Sequence, residues 1–112
     1  MNQGIPLVVY PVKDIAKAKM FYTSLLGAEP YADQPYYVGY KTGSQEVGLD
    51  PNGDGATGAL AYCQVSDIRA SLASLVDAGA RIVQDVKDVG WGKLIATVKD
   101  ADGNVVGLMQ TS

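Results

Sequence analysis

The sequence contains no histidine. That removes Ser-His-Asp triads, HExxH zinc helices and every His-ligated metal centre. It has one cysteine, Cys63, so neither an intrachain disulfide nor a cysteine-built zinc cluster can form. Basic residues are few: nine Lys and Arg against twelve Asp and Glu give a formal net charge of −3. A protein that grips a nucleic-acid backbone should be basic, so no such partner is expected. No apolar run approaches the roughly 20 residues that cross a bilayer. Residues 1–4 carry no basic leader region. The expectation is a cytoplasmic protein with no membrane and no nucleic-acid partner. Phenylalanine and tryptophan occur once each, yet there are seven tyrosines. Tyrosine pairs a flat apolar ring with one hydroxyl, which suits a ligand-binding cleft. The 112 residues are 47% hydrophobic, enough for a core in one domain without covalent staples.

Punctuation along the chain predicts its elements. Residues 4–12 (GIPLVVYPV) form a short apolar strand made irregular at its ends by Pro6 and Pro11. Asp14 is a suitable N-cap for a helix whose apolar stripe is Ile15, Ala18, Phe21, Tyr22, Leu25 and Leu26. Lys13, Lys17 and Lys19 fall off that stripe, and Gly27 stops the helix. Residues 28–50 then hold strand-like pieces, notably 36–41 and 45–49, around a turn at 42–44. The run 51–58 (PNGDGATG) is the strongest breaker in the chain.

After the breaker the order repeats: a strand over 59–65, a helix capped by Asp67 with Ile68, Leu72, Leu75 and Val76, and strands over 81–86, 93–98 and 104–110. Residues 90–92 are expected to be a flexible interruption. Asp14-Ile15 returns as Asp67-Ile68, Gly27-Ala28 as Gly79-Ala80, and Gly48-Leu49 as Gly107-Leu108. The chain therefore reads as one α+β domain of two βαβββ modules: module one over 1–50, a linker over 51–58, and module two over 59–112. Asp100 to Asn104 echoes the start of a calcium loop. The apolar residues that follow supply no distal carboxylate, so a plain turn is expected.

Val12-Lys13-Asp14-Ile15, then Phe21-Tyr22 with Leu26-Gly27, the repeat Val65-Ser66-Asp67-Ile68, and Lys99-Asp100-Ala101-Asp102-Gly103-Asn104 before a closing strand form a pattern. It resembles the vicinal oxygen chelate superfamily of glyoxalase I, fosfomycin-resistance proteins, extradiol dioxygenases and bleomycin-resistance proteins. The likeness covers essentially the whole chain. It implies the glyoxalase-like fold, with curled mixed sheets around a cavity, and a homodimer. It also implies metal ligands on the first and fourth strand of each module. By motif spacing those positions are Leu7, Gly48, Leu60 and Gly107, none of which carries a donor. No metal and no cofactor is therefore expected, and metal-dependent lyase, thiol-transfer and dioxygenase chemistry is not.

Strand alternation sorts the remaining candidates. Leu7, Val9, Leu60, Tyr62, Gln64 and Met109 should line the cavity, with Glu46 beside Gly48. One of Tyr36 and Tyr37 joins them; Tyr37 is favoured. Cys63 should point to the helix side as a small buried hydrophobe. Trp91, between two glycines, is either a lid over a flat ligand or a side chain tucked under its loop or into a dimer contact. This set favours a metal-independent small-molecule binding protein of the bleomycin-resistance type, for a planar or amphipathic ligand, with Glu46 and Gln64 as polar anchors. The alternative is a metal-free isomerase or epimerase with Glu46 as general base and Tyr37 or Tyr62 as acid. A purely structural or interaction role is the third reading.

Overall fold

Local chemistry sets the helix ends. Asp14 is extended (φ −124°, ψ 101°), and its carboxylate accepts hydrogen bonds from the backbone N–H groups of Ala16 and Lys17. Those are donors that a helix start leaves unpaired. At the far end Gly27 takes the left-handed conformation (φ 64°), and its N–H donates to the Thr23 carbonyl. In the computed structural model, which describes residues 4–53 and 55–111, the chain runs β1 (Leu7–Pro11), α1 (Ile15–Leu26), β2 (Ala32–Gln34), β3 (Tyr37–Thr42), β4 (Gln45–Asp50), β5 (Leu60–Gln64), α2 (Ile68–Asp77), β6 (Arg81–Gly90), β7 (Lys93–Lys99) and β8 (Val105–Thr111).

The chain divides into two compact units, each a βαβββ module. One spans Pro6 to Leu60. The other runs from Ala61 onward and takes in Gly4 and Ile5, where the Gln64 N–H donates to the Gly4 carbonyl at 2.9 Å. The first module has strand order β2-β3-β4-β1, with β1 parallel to β4 and the other pairs antiparallel. The second repeats it as β5-β8-β7-β6, with β5 parallel to β8.

Each helix covers one face of its own sheet. In the first module Val38, Tyr40 and Leu49 are buried, with Tyr10, Val12, Ile15, Ala18, Tyr22 and Leu26 packed around them. Tyr40 is fully buried, and its hydroxyl bonds Thr23 Oγ1 at 2.9 Å and the Lys19 carbonyl at 3.1 Å, tying β3 to α1. In the second module Val65, Ile68, Leu72, Ala96, Val98 and Leu108 form the core, and Cys63 packs against it from β5. No buried side-chain polar atom among the described residues lacks a partner. No helix of the described chain is long and apolar enough to cross a membrane.

Four details differ from the sequence reading. Phe21 and Leu25 are 62% and 63% exposed, because the true stripe of α1 runs through residues 15, 18, 22 and 26. Lys19 is not simply solvated: its Nζ meets Asp33 Oδ2 at 2.8 Å, and that hydrogen bond and charge hold the ammonium above its ordinary pKa. β6 continues to Gly90, so the interruption at 90–92 is a two-residue hairpin turn. Trp91 and Gly92 both have positive φ there (53° and 72°), the pattern of a type I′ turn. Finally, where the repeat of Gly27-Ala28 as Gly79-Ala80 would make Gly79 the C-cap of α2, the cap is Ala78 in right-handed conformation (φ −82°), and Gly79 takes its positive φ (107°) one position later.

Candidate functional site

Because side chains alternate across a strand, the faces turned away from the helices carry the remaining residues. In the first module β4 presents Glu46 and Gly48. Leu7 and Val9 of β1 stand opposite them on one side, and Lys41 and Gly39 of β3 on the other. Tyr37, two residues before Gly39, shares this open face.

The two glycines form a floor. A Cβ on Gly48 would overlap the Tyr37 hydroxyl and lie 2.7 and 2.8 Å from Cζ and Cε1 of that ring. A Cβ on Gly39 would stand 3.0 Å from Cε1 of Tyr31 and 3.1 Å from Cε2 of Tyr37. Two tyrosine rings thus lie on backbone that only glycine leaves bare. Tyr31 donates its hydroxyl proton to Glu46 Oε1 at 2.8 Å. Burial first, then this hydrogen bond and the carboxylate's charge, push the Tyr31 phenol well above its ordinary pKa. Lys41 Nζ lies 4.6 Å from the centroid of the Tyr31 ring.

The second module builds the same feature from a different strand. Tyr62 of β5 pairs with Gly107 of β8, and a Cβ on Gly107 would run into the Tyr62 ring, 2.9 Å from Cγ. Gln64 pairs with Met109, and its Nε2 donates to Thr111 Oγ1 at 3.2 Å. Thr97 and Ile95 of β7 flank Gly107 and Met109 on the far side. Leu60 precedes Tyr62 by two residues and falls on the same face.

The structure therefore gathers Leu7, Val9, Tyr37 and Glu46 on one face of the first module, and Leu60, Tyr62, Gln64 and Met109 on one face of the second, with Leu7 and Met109 themselves buried (7% and 4% exposed). Trp91 joins neither group: it is 97% exposed at the tip of the β6–β7 turn. Tyr36 precedes β3 and is 60% exposed. Sequence reasoning missed Tyr31 altogether, although Gly39, a bare position inside an aromatic strand, signals that a bulky group approaches it.

The family likeness raises a metal ion, and the donor set does not fit one. Leu7, Gly48, Leu60 and Gly107 supply no ligand, and the space above both glycines is filled by tyrosine rings. Among the described residues no three His, Cys, Asp or Glu side chains gather where they could hold a metal ion.

Comparison with known proteins agrees with this architecture. The family model for the glyoxalase/bleomycin resistance protein/dioxygenase superfamily matches residues 4–108. A search of curated proteins finds no significant match. Among solved structures, the chain is similar to one described as a NAD-dependent benzaldehyde dehydrogenase from Legionella pneumophila (TM-score 0.75, 21% identity, 95% of this chain and 98% of that one). It is similar to a glyoxalase/bleomycin resistance protein/dioxygenase superfamily member from Vibrio splendidus 12B01 (0.71, 20%, 98% of each chain). It is also similar to a variant of Streptomyces coelicolor methylmalonyl-CoA epimerase in complex with 2-nitronate-propionyl-CoA (0.76, 16%, 100% and 99%). At these identities the likeness is one of fold.

Proposed function

The chain belongs to the glyoxalase/bleomycin resistance protein/dioxygenase superfamily, and from that premise we propose that it is a cytoplasmic, homodimeric, metal-independent small-molecule binding protein. Its ligand is planar or amphipathic and lies against a tyrosine-lined sheet face, where the polar anchor is Glu46 in the first module and Gln64 in the second. The observation that carries this reading is the pair of tyrosine rings laid over Gly48 and Gly107. They put flat apolar area with a hydroxyl where other members of the superfamily are expected to present a metal ligand. Such a surface offers stacking and a few directed hydrogen bonds, and no Lewis acid.

The experiment is a titration of the metal-stripped protein with a panel of flat, amphipathic aromatics, followed through backbone amide shifts. Saturable shifts confined to Tyr37, Glu46, Gly48, Tyr62 and Gly107 are the expected result. Uniform small shifts, or none at saturating ligand, contradict the reading.

A second reading has one observation in its favour. Glu46 is held on the open face by Tyr31 at 2.8 Å, the placement a general base needs for removing a proton beside a carbonyl. A methylmalonyl-CoA epimerase shares the fold. Solvent deuterium exchange into α-protons of simple thioesters tests it: an isomerase of this kind exchanges them and loses exchange in Glu46→Gln, whereas a binding protein does neither.

A further inference from the structure

The face that carries Glu46 also carries the group that cancels its charge. Lys41 stands directly across from Glu46 in the β3–β4 register. Its ammonium sits 4.6 Å from the centre of the Tyr31 ring. Tyr31 in turn donates to Glu46 Oε1. Three side chains are thus linked: an ammonium over a ring, and the hydroxyl of that ring on a carboxylate. The aromatic face that would attract a ligand cation is already taken by Lys41. Asp50, the other carboxylate on this face of β4, lies four residues on, roughly 13 Å by strand rise. Its Oδ1 accepts from the Asn52 N–H at 2.8 Å and so is directed at its own loop.

Resting on the binding reading above, we infer that the head group this site accepts is an uncharged hydrogen-bond donor on a flat body, such as a primary amide or a phenol, and neither a cation nor an anion. Three observations lead there. Gly39 and Gly48 have the Tyr31 and Tyr37 rings packed against them, an aromatic lining that favours an aromatic body. Glu46 accepts from Tyr31 through Oε1, and a carboxylate has lone pairs for further donors, which favours a donating head group. One ammonium over the Tyr31 ring and one carboxylate on its hydroxyl balance each other in charge, which removes the advantage of a charged ligand over a neutral one while its desolvation cost remains. Lys41 is then a specificity-determining residue.

Three probes with the same ring separate the possibilities: benzamide, benzamidinium and benzoate, each titrated into the full-length, metal-stripped protein and read through the backbone amides of Gly39, Glu46 and Gly48. Benzamide should bind tightest, by about threefold or more over either ion. In Lys41→Met the order should change, with benzamidinium gaining about tenfold, as expected for removing one like charge from a partly exposed site. Lys41 is exposed, and Lys41→Gln repeats the test with a polar side chain should the Met variant fold poorly. Benzamidinium binding tightest to the wild type, equal affinity for all three, or an unchanged order in both Lys41 variants overturns the inference but leaves the binding face standing. No shift at those amides with any probe overturns the binding reading and the inference together.

Discussion

Gly48 and Gly107 are the residues on which the open faces turn. Each lacks a side chain because a tyrosine ring occupies the space where one would stand. Gly48→Ala should therefore destabilise the protein by about 1–3 kcal/mol, the usual cost of forcing extra volume into a packed site. Tyr37→Ala alone loses ring packing but opens that space, so the double variant should lose less than the two single losses combined. Urea denaturation of the four proteins measures this; strict additivity would mean that Tyr37 does not lie on Gly48. Trp91 makes the opposite case. A large aromatic at φ 53° in a type I′ turn is held in a conformation that suits Asn far better. Trp91→Asn should raise stability by about 0.5–1 kcal/mol, seen as a higher Tm. A lower Tm would show that the indole makes a stabilising contact.

Among the elements, α2 depends on two caps where α1 has one. The Asp67 carboxylate accepts from the Ala70 N–H at 3.1 Å, and Gln110 Oε1, from β8, accepts from the Ile68 N–H at 2.8 Å. Gln110→Ala leaves that donor part-buried and unpaired, and should cost about 1–2 kcal/mol in chemical denaturation. The β7–β8 turn is organised by Asp100, whose carboxylate accepts from the Asn104 side-chain amide and from the backbone N–H groups of Asn104 and Asp102. These bonds, the Asn104 side chain first, hold its pKa below the ordinary value of 3.8. A lowered folded-state pKa stabilises the native state above the unfolded value, and that contribution disappears as pH falls through the folded pKa. Asn104→Ala should move the Asp100 titration, followed by NMR, upward toward 3.8; an unmoved midpoint would exclude the amide as its cause.

The element scale also shows what the sequence made legible. Both helix starts were readable because Asp14 and Asp67 act on backbone within three residues. β2 was not, since Ala32–Gln34 is a strand only through its pairing with Gly39, Val38 and Tyr37. Phe21 and Leu25 looked like core because an apolar residue at the edge of a helical stripe is indistinguishable from one inside it. The length of β6 was hidden for a related reason: residues 87–90 gain strand geometry from β7, through a register that shifts three times. Tyr31 could not be placed on Glu46 without knowing that β2 leads it back across β3.

At the scale of the whole molecule, duplication was the strongest signal, and the sequence motifs at both ends of each repeat carried it. The two modules share strand order and parallel pair, yet they cover their bare glycine differently. In the first the ring comes from β3, beside β4; in the second it comes from β5, on the other side of β8. The proposed binding reading rests on each of these faces taken separately: Glu46, Lys41 and Tyr37 in the first module, and Gln64, Thr97 and Tyr62 in the second, offer hydrogen bonds beside apolar surface. The most direct test is calorimetric titration of the untagged, chelator-treated chain with Mn2+, Ni2+ and Zn2+. No saturable one-to-one binding of any of them is expected; a stoichiometric complex with any one would contradict metal independence.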